Sequence, residues 1–138
     1  MRNPMDLPPV HSDDELLDRW RLLMGQEGFA QRSIWLAWFD EHGKQLPLVT
    51  PVDDVPQHPD GELLDGFGEV VSTVVREHAP EGSVAITICR PGSSVVDDDD
   101  RAWGRALLEM ARRQAVVLRR LHLATAGSVR PLAGDDLV

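Results

Sequence analysis

Apolar and polar positions run along this chain in two rhythms, and the switches between them predict its elements. Leu16, Leu17, Trp20, Leu23 and Met24 recur at three and four residues, the spacing of one helical face. Ser12-Asp13-Asp14-Glu15 precedes them as a capping box, in which the Ser12 side chain accepts from the Glu15 N–H and the Glu15 carboxylate reaches back. Gly25 or Gly28 can end this helix. Ser33 to Phe39 is apolar almost throughout and short, which predicts a strand covered on both faces. A polar turn, Asp40-Glu41-His42-Gly43-Lys44, leads into Gln45 to Thr50 as the second strand of a hairpin. Pro47 cannot donate to a ladder and so confines that strand to an edge or a bulge.

Pro51 to Pro59 reads as a connecting loop, and a helix resumes near Asp60. There Leu63, Leu64, Phe67, Val70, Val71, Val74 and Val75 return to helical spacing, against the poor propensity of the valines and of Gly61, Gly66 and Gly68. Ser83 to Cys89 is a β-branched run suited to a central strand, and Arg90-Pro91-Gly92-Ser93-Ser94 turns the chain. Asp97 to Asp100 supplies an N-cap and first-turn negative charge for a helix that buries Trp103, Ala106, Leu107 and Met110 and runs to about Gln114. Val117 to Ala124 is the next strand, Thr125 to Ser128 a hairpin turn, Val129 to Leu132 the last strand, and 133–138 a short acidic tail. The order α-β-β-α-β-α-β-β makes this an α/β fold, a mixed sheet flanked by helices. Residues 1–11, Pro-rich and polar, are expected to be disordered or loosely docked; 12–138 form a single domain, with an N-terminal helix over 12–28 and a core over 33–132.

Length and charge narrow the function more than they name it. The chain's 138 residues, 42% of them hydrophobic, fit one core. A net charge of −9 argues against nucleic acid, whose affinity rests on Lys and Arg releasing counterions. Cys89 is the only cysteine, so no intrachain disulfide or thiolate cluster forms, and a reducing compartment, the cytoplasm, is expected. No stretch resembles a signal peptide or approaches the ~20 apolar residues that cross a bilayer, so no membrane partner is expected. A sheet edge at Gln45 to Thr50 or at the last strand would allow a homodimer.

Several residues have both a plain and a chemical reading. Asp97 to Asp100 caps a helix, or holds a divalent cation without the ligand spacing of an EF-hand. Cys89 is a small buried hydrophobe, or a nucleophile served by His78 or His122. Trp20, Trp35, Trp38 and Trp103 lie on predicted elements as core residues; Trp35 and Trp38, three apart in a strand, point to opposite faces, so one of them could meet a partner. Arg112, Arg113, Arg119 and Arg120 form a local basic patch in an acidic chain, a solvated face or an interaction surface for an acidic protein segment.

From Ser33 onward the order of elements, Pro91, the acidic helix start and the terminal hairpin resemble the JAB/MPN fold, its RadC-like branch in particular, over residues 33–132. That family ends its central strand in a His-x-His-Pro turn and opens the next helix with Ser-x-x-Asp. Here Ile88 and Arg90 stand at the two histidine positions, with Pro91 retained. With one loop residue deleted, Asp97 falls on the serine and Asp100 on the carboxylate; without the deletion, Asp98 and Arg101 do. No glutamate between Gln45 and Asp53 matches the family's general base. A catalytic zinc needs three protein ligands, an open water position and a base for the water's proton. The resemblance therefore implies a degenerate member without metal or cofactor, not an enzyme, acting as a protein-interaction or scaffold module. An Arg90–Asp100 salt bridge would replace the metal. The alternative is a divergent hydrolase or a small anionic-ligand module at the vestigial site of Ile88, Arg90, Pro91, Ser93, Asp97 and Asp100, where Arg90 and backbone N–H groups at the helix start would hold the ligand.

Overall fold

Ser12 and Asp60 begin the first two helices in the way their side chains allow. In the computed structural model, which describes residues 6–25 and 28–138, the Ser12 hydroxyl accepts from the Glu15 N–H at 3.1 Å and α1 runs over Asp13–Met24. The Glu15 carboxylate reaches one residue further back than the capping box requires, to the His11 N–H at 2.9 Å, which draws its pKa down. Gly25 closes α1 at φ 69°, a left-handed value that costs glycine nothing. Asp60 accepts from the N–H groups of Glu62 and Leu63 to start α2 at Gly61–His78.

Strand β1 (Ser33–Phe39) pairs antiparallel with β2 (Gln45–Val52) on one side and with β3 (Ser83–Cys89) on the other. β2 outlasts the expected Thr50, because Pro51 pairs opposite Trp35 and an edge strand can present a proline without losing a ladder bond. The β1–β2 register slips between the Ala37–Val49 and Phe39–Gln45 pairs, so Pro47 sits both at an edge and in a bulge. After α3 (Asp98–Gln114) the expected strand 117–124 is split into β4 (Val117–Leu118) and β5 (His122–Thr125). One extra residue separates the Leu118–Val84 and His122–Thr87 pairs, a bulge made where Arg119 turns inward. β5 runs parallel to β3 and forms the final hairpin with β6 (Ser128–Pro131). The six-stranded mixed sheet has the order β2-β1-β3-β5-β6, with β4 beside β3.

Alternation along the strands divides the interior in two. Ile34, Leu36, Trp38, Val84, Ile86, Ile88 and Leu123 face α2 and α3, packing on Phe67, Val71, Trp103 and Leu107. Ala37, Phe39, Ala85, Cys89 and Ala124 face α1, under Leu16 and Trp20. Trp38 and Trp35 go to opposite faces as expected; Trp38 is fully buried and Trp35 partly covered. A 3₁₀ turn at Gly134–Leu137 gives the acidic tail a shape and packs Leu137 into the larger core.

Of the segment expected to be disordered, residues 1–5 lie outside the described residues. Val10, by contrast, is buried at 1% exposure in the α1-side core; its N–H donates to the Gly43 carbonyl at 2.8 Å and its own carbonyl accepts from Arg119. A polar, Pro-rich composition hid one well-seated valine. Gly43 is needed beneath it: its φ is 77°, and a Cβ there would meet the Val10 oxygen at 2.7 Å. No described helix is long and apolar enough to cross a membrane.

Candidate functional site

The turn after β3 and the start of α3 meet around one guanidinium. Arg90 leaves the strand with its N–H still donating to the Ala124 carbonyl, and Gly92 at φ 98° turns the chain back over its side chain. The Arg90 Nε donates to the Asp100 carboxylate at 2.9 Å from Oδ1 and 3.1 Å from Oδ2. Nη2 donates to Asp100 Oδ2 and to the Val95 carbonyl, both at 2.8 Å. Nη1 donates to the carbonyls of Pro91 at 3.0 Å and Ser93 at 2.8 Å. All the N–H groups of this side chain are thus engaged.

Asp100 is fully buried in the first turn of α3. Its Oδ2 also accepts the Asp97 N–H at 3.0 Å while Asp97 Oδ1 accepts the Asp100 N–H at 2.8 Å, the reciprocal capping box that the acidic run foreshadows. A third partner comes from far along the chain: Arg32, just before β1, donates from Nη1 to Asp100 Oδ1 at 3.1 Å with its side chain 10% exposed. Burial pushes the Asp100 carboxyl upward, but the hydrogen bonds from Arg90, the Asp97 backbone and Arg32 outweigh it and hold the group below the ordinary carboxylate range. The same hydrogen bond, donated to Asp100, raises the Arg90 pKa further, against burial. Arg32 went unrecognised in the sequence, where it is an isolated cation; the Ser33–Cys89 pairing brings it beside Arg90.

A groove of about 650 Å³ opens on this hub, lined by Arg32, Val55, Gln57, Pro91, Ser93 and Asp97 among others. Asp99 ties the facing loop to α3 by accepting from Gln57 Nε2 at 2.7 Å and pairing with His58 at 3.0 Å. Trp103 Nε1 pins the same loop through the carbonyls of Pro56 and Gln57, each at 3.1 Å. Of the residues singled out in the sequence, Arg90, Pro91, Ser93 and Asp97 line the groove and Asp100 anchors it from beneath, whereas Ile88 is buried in the core against α2 and α3.

This arrangement does not fit a zinc ion. Ile88 and Arg90 offer an alkyl group and a fixed cation, and the one carboxylate at the focus is taken by two guanidinium groups and a backbone N–H. No group of three His, Cys, Asp or Glu side chains that could hold a metal ion occurs among the described residues.

The nucleophile reading of Cys89 finds no support in its surroundings. Its Sγ lies against Met24 Sδ at 3.7 Å, and burial pushes the thiol up to about 12, far from the thiolate form. His122 reaches the same face, opposite Thr87 in the neighbouring strand, but its Nδ1 bonds the Arg120 carbonyl at 3.0 Å and burial lowers its pKa to about 4. His78 ends α2 in solvent.

The four arginines expected to form one basic patch are each committed. Arg112 and Arg113 both pair with Glu109 on their own helix, and Arg120 pairs with Asp13 at 3.3 Å. Arg119 donates to Ser83 Oγ and to the Val10 carbonyl, with its guanidinium 5.1 Å above the Phe39 ring. Two carboxylates pair with three of them, Glu109 on the preceding turn of α3 and Asp13 on α1. No family model, curated protein or solved structure matches the chain.

Proposed function

We propose that this chain is a metal-free JAB/MPN-like domain of the RadC-like kind, working in the cytoplasm through protein contacts rather than catalysis. The observation that carries the reading is the saturated Arg90: a permanent cation with every donor engaged lies at the turn where the family's metal would bind. Coulomb repulsion opposes a second cation beside it, and the turn is closed over the guanidinium by three of its own carbonyl oxygens. Such a hub holds β3, α3 and the start of β1 together and leaves no group poised to activate water.

Elemental analysis of protein purified without chelator or affinity tag, followed by calorimetric titration with zinc, tests this reading. The expected result is no stoichiometric metal and no saturable heat; about one tightly held metal per chain would overturn it.

A second reading, a module for a small anion, rests on Arg32, which spends one N–H on Asp100 and lines the groove. Asp97 and Asp99 line the same groove and work against it. Titration with inorganic phosphate, followed by the NMR signals of the groove residues, separates the two readings.

A further inference from the structure

The larger core is left open where α2 passes the β2 edge. Leu46, Val52, Leu63 and Val74 only partly cover it, and Leu48 and Val70 stand 41% and 45% exposed. Between the two elements runs a groove of about 510 Å³ whose floor is Val52, Leu63, Gly66, Phe67 and Val70 and whose remaining lining is Asp60 and Glu62. No lysine or arginine lines it. Asp53 and Asp54 follow Val52 in sequence, so the charge beside the groove is acidic on the strand side as well.

Gly66 is the feature that packing does not explain. Two other helical glycines have a reason inside the protein: a Cβ on Gly68 would fall 2.7 Å from Gln114 Nε2, and one on Gly104 would fall 2.5 Å from a Leu137 methyl, while Gly61, which also meets nothing within 4 Å, stands at the first position of α2 rather than in its middle. A Cβ on Gly66 would meet nothing within 4 Å. Glycine is a poor choice for the middle of a helix, and here its effect is to keep an apolar groove free of a side chain so that another backbone can come close.

The geometry points to this groove as the docking site for a cationic amphipathic helix of a partner protein, with apolar anchors on one face and Lys or Arg at its flanks. It rests on the protein-contact reading and names the partner's chemistry. A strand is the poorer occupant, since Pro47 and Pro51 remove donors from the open edge of β2. A second copy is poorer still. Each copy carries a net charge of −9, α1 opens with Asp13, Asp14 and Glu15 and seats its apolar face on the sheet, and α3 buries its apolar stripe in the core. An apolar floor with an acidic rim selects instead a helix of opposite charge.

The test uses the full chain, a short helical peptide of leucine and lysine, its leucine and glutamate counterpart, and the variant Gly66→Arg, whose Cβ meets nothing within 4 Å. The expected result is saturable NMR shifts at Val52, Leu63, Gly66, Phe67 and Val70 with the lysine peptide only. Binding should fall about tenfold or more in Gly66→Arg, as a like charge is set against the peptide, with a melting temperature that is not lowered. Val70→Arg, at an exposed position, serves if the first variant does not fold. Shifts spread over the acidic surface and indifferent to both variants would overturn the proposal, as would equal binding of the glutamate peptide. A dimer in sedimentation that Gly66→Arg dissolves would overturn it in favour of a second copy. Zinc binding would sink the metal-free reading and leave this result standing; a failed groove experiment with no zinc bound would do the reverse.

Discussion

Between β3 and α3, Arg90 and Asp100 bury their polar atoms with each one paired, whereas beneath α1 the Trp20 Nε1–H, the Thr87 hydroxyl and the His122 Nε2 are buried with no partner among the described residues. Both regions lie in a low-dielectric interior, where a paired charge holds elements together and an unpaired dipole only costs. The first is fixed by three segments converging on one carboxylate: the residue before β1, the end of β3 and the start of α3. The second is a seat for one helix on small side chains, Ala37, Ala85 and Ala124, where polar atoms hang loose. The lesson is that burial alone does not rank polar residues; the completeness of their bonding does.

The sharpest way to break the contrast is Asp100→Ala. It leaves two buried guanidinium groups without their carboxylate and removes half of the α3 capping box, so a loss of about 3–5 kcal/mol is expected in chemical denaturation. A loss under about 1 kcal/mol would place the hub with ordinary surface pairs.

His122 supplies the second test. The folded pKa of about 4, against the ordinary 6.5, means that the folded state disfavours the charged ring; burial is the main cause, partly offset by the Arg120 carbonyl and Asp13. Its contribution to stability is whole above pH 6.5 and is lost as the pH falls from there towards 4, with a slope approaching ~1.4 kcal/mol per pH unit. Asp100, lowered instead from 3.8, keeps its contribution until the pH drops below that value, so the two regions fail in successive windows. Denaturation curves at a series of pH values should show the upper slope vanish in His122→Asn.

Thr87→Val carries the smallest effect and the opposite sign. Replacing an unpaired buried hydroxyl by a methyl should stabilise the protein by about 1 kcal/mol, read from the urea midpoint. Destabilisation would show that the hydroxyl has an internal water as partner.

Much of this frame is legible in the residues, and the misses have a common cause. Ser12 with Glu15, Asp97 with Asp100 and the edge proline Pro47 act within a few residues of themselves, and a sequence displays such local chemistry directly. The pairing of Arg90 with Asp100 is the one that the resemblance led us to expect. Arg32 was invisible because its role depends on an antiparallel register formed with residues far along the chain. Arg119 misled for the same reason: next to Arg120 it reads as surface charge, and only the docking of Val10 and Ser83 around it turns the side chain inward. The open groove beside Gly66 shows as three glycines in a helix, with nothing in the sequence to distinguish the one that packs against Gln114 from the one that faces outward.

The chain's lone thiol sits on the α1 side with none of its surface exposed and its proton held to about 12. Its silence belongs to the closed structure and not to the sulfur. A thiol reagent can consume Cys89 only as fast as the protein breathes, so the native chain carries its own clock for the lifting of α1, with no label added and no residue changed.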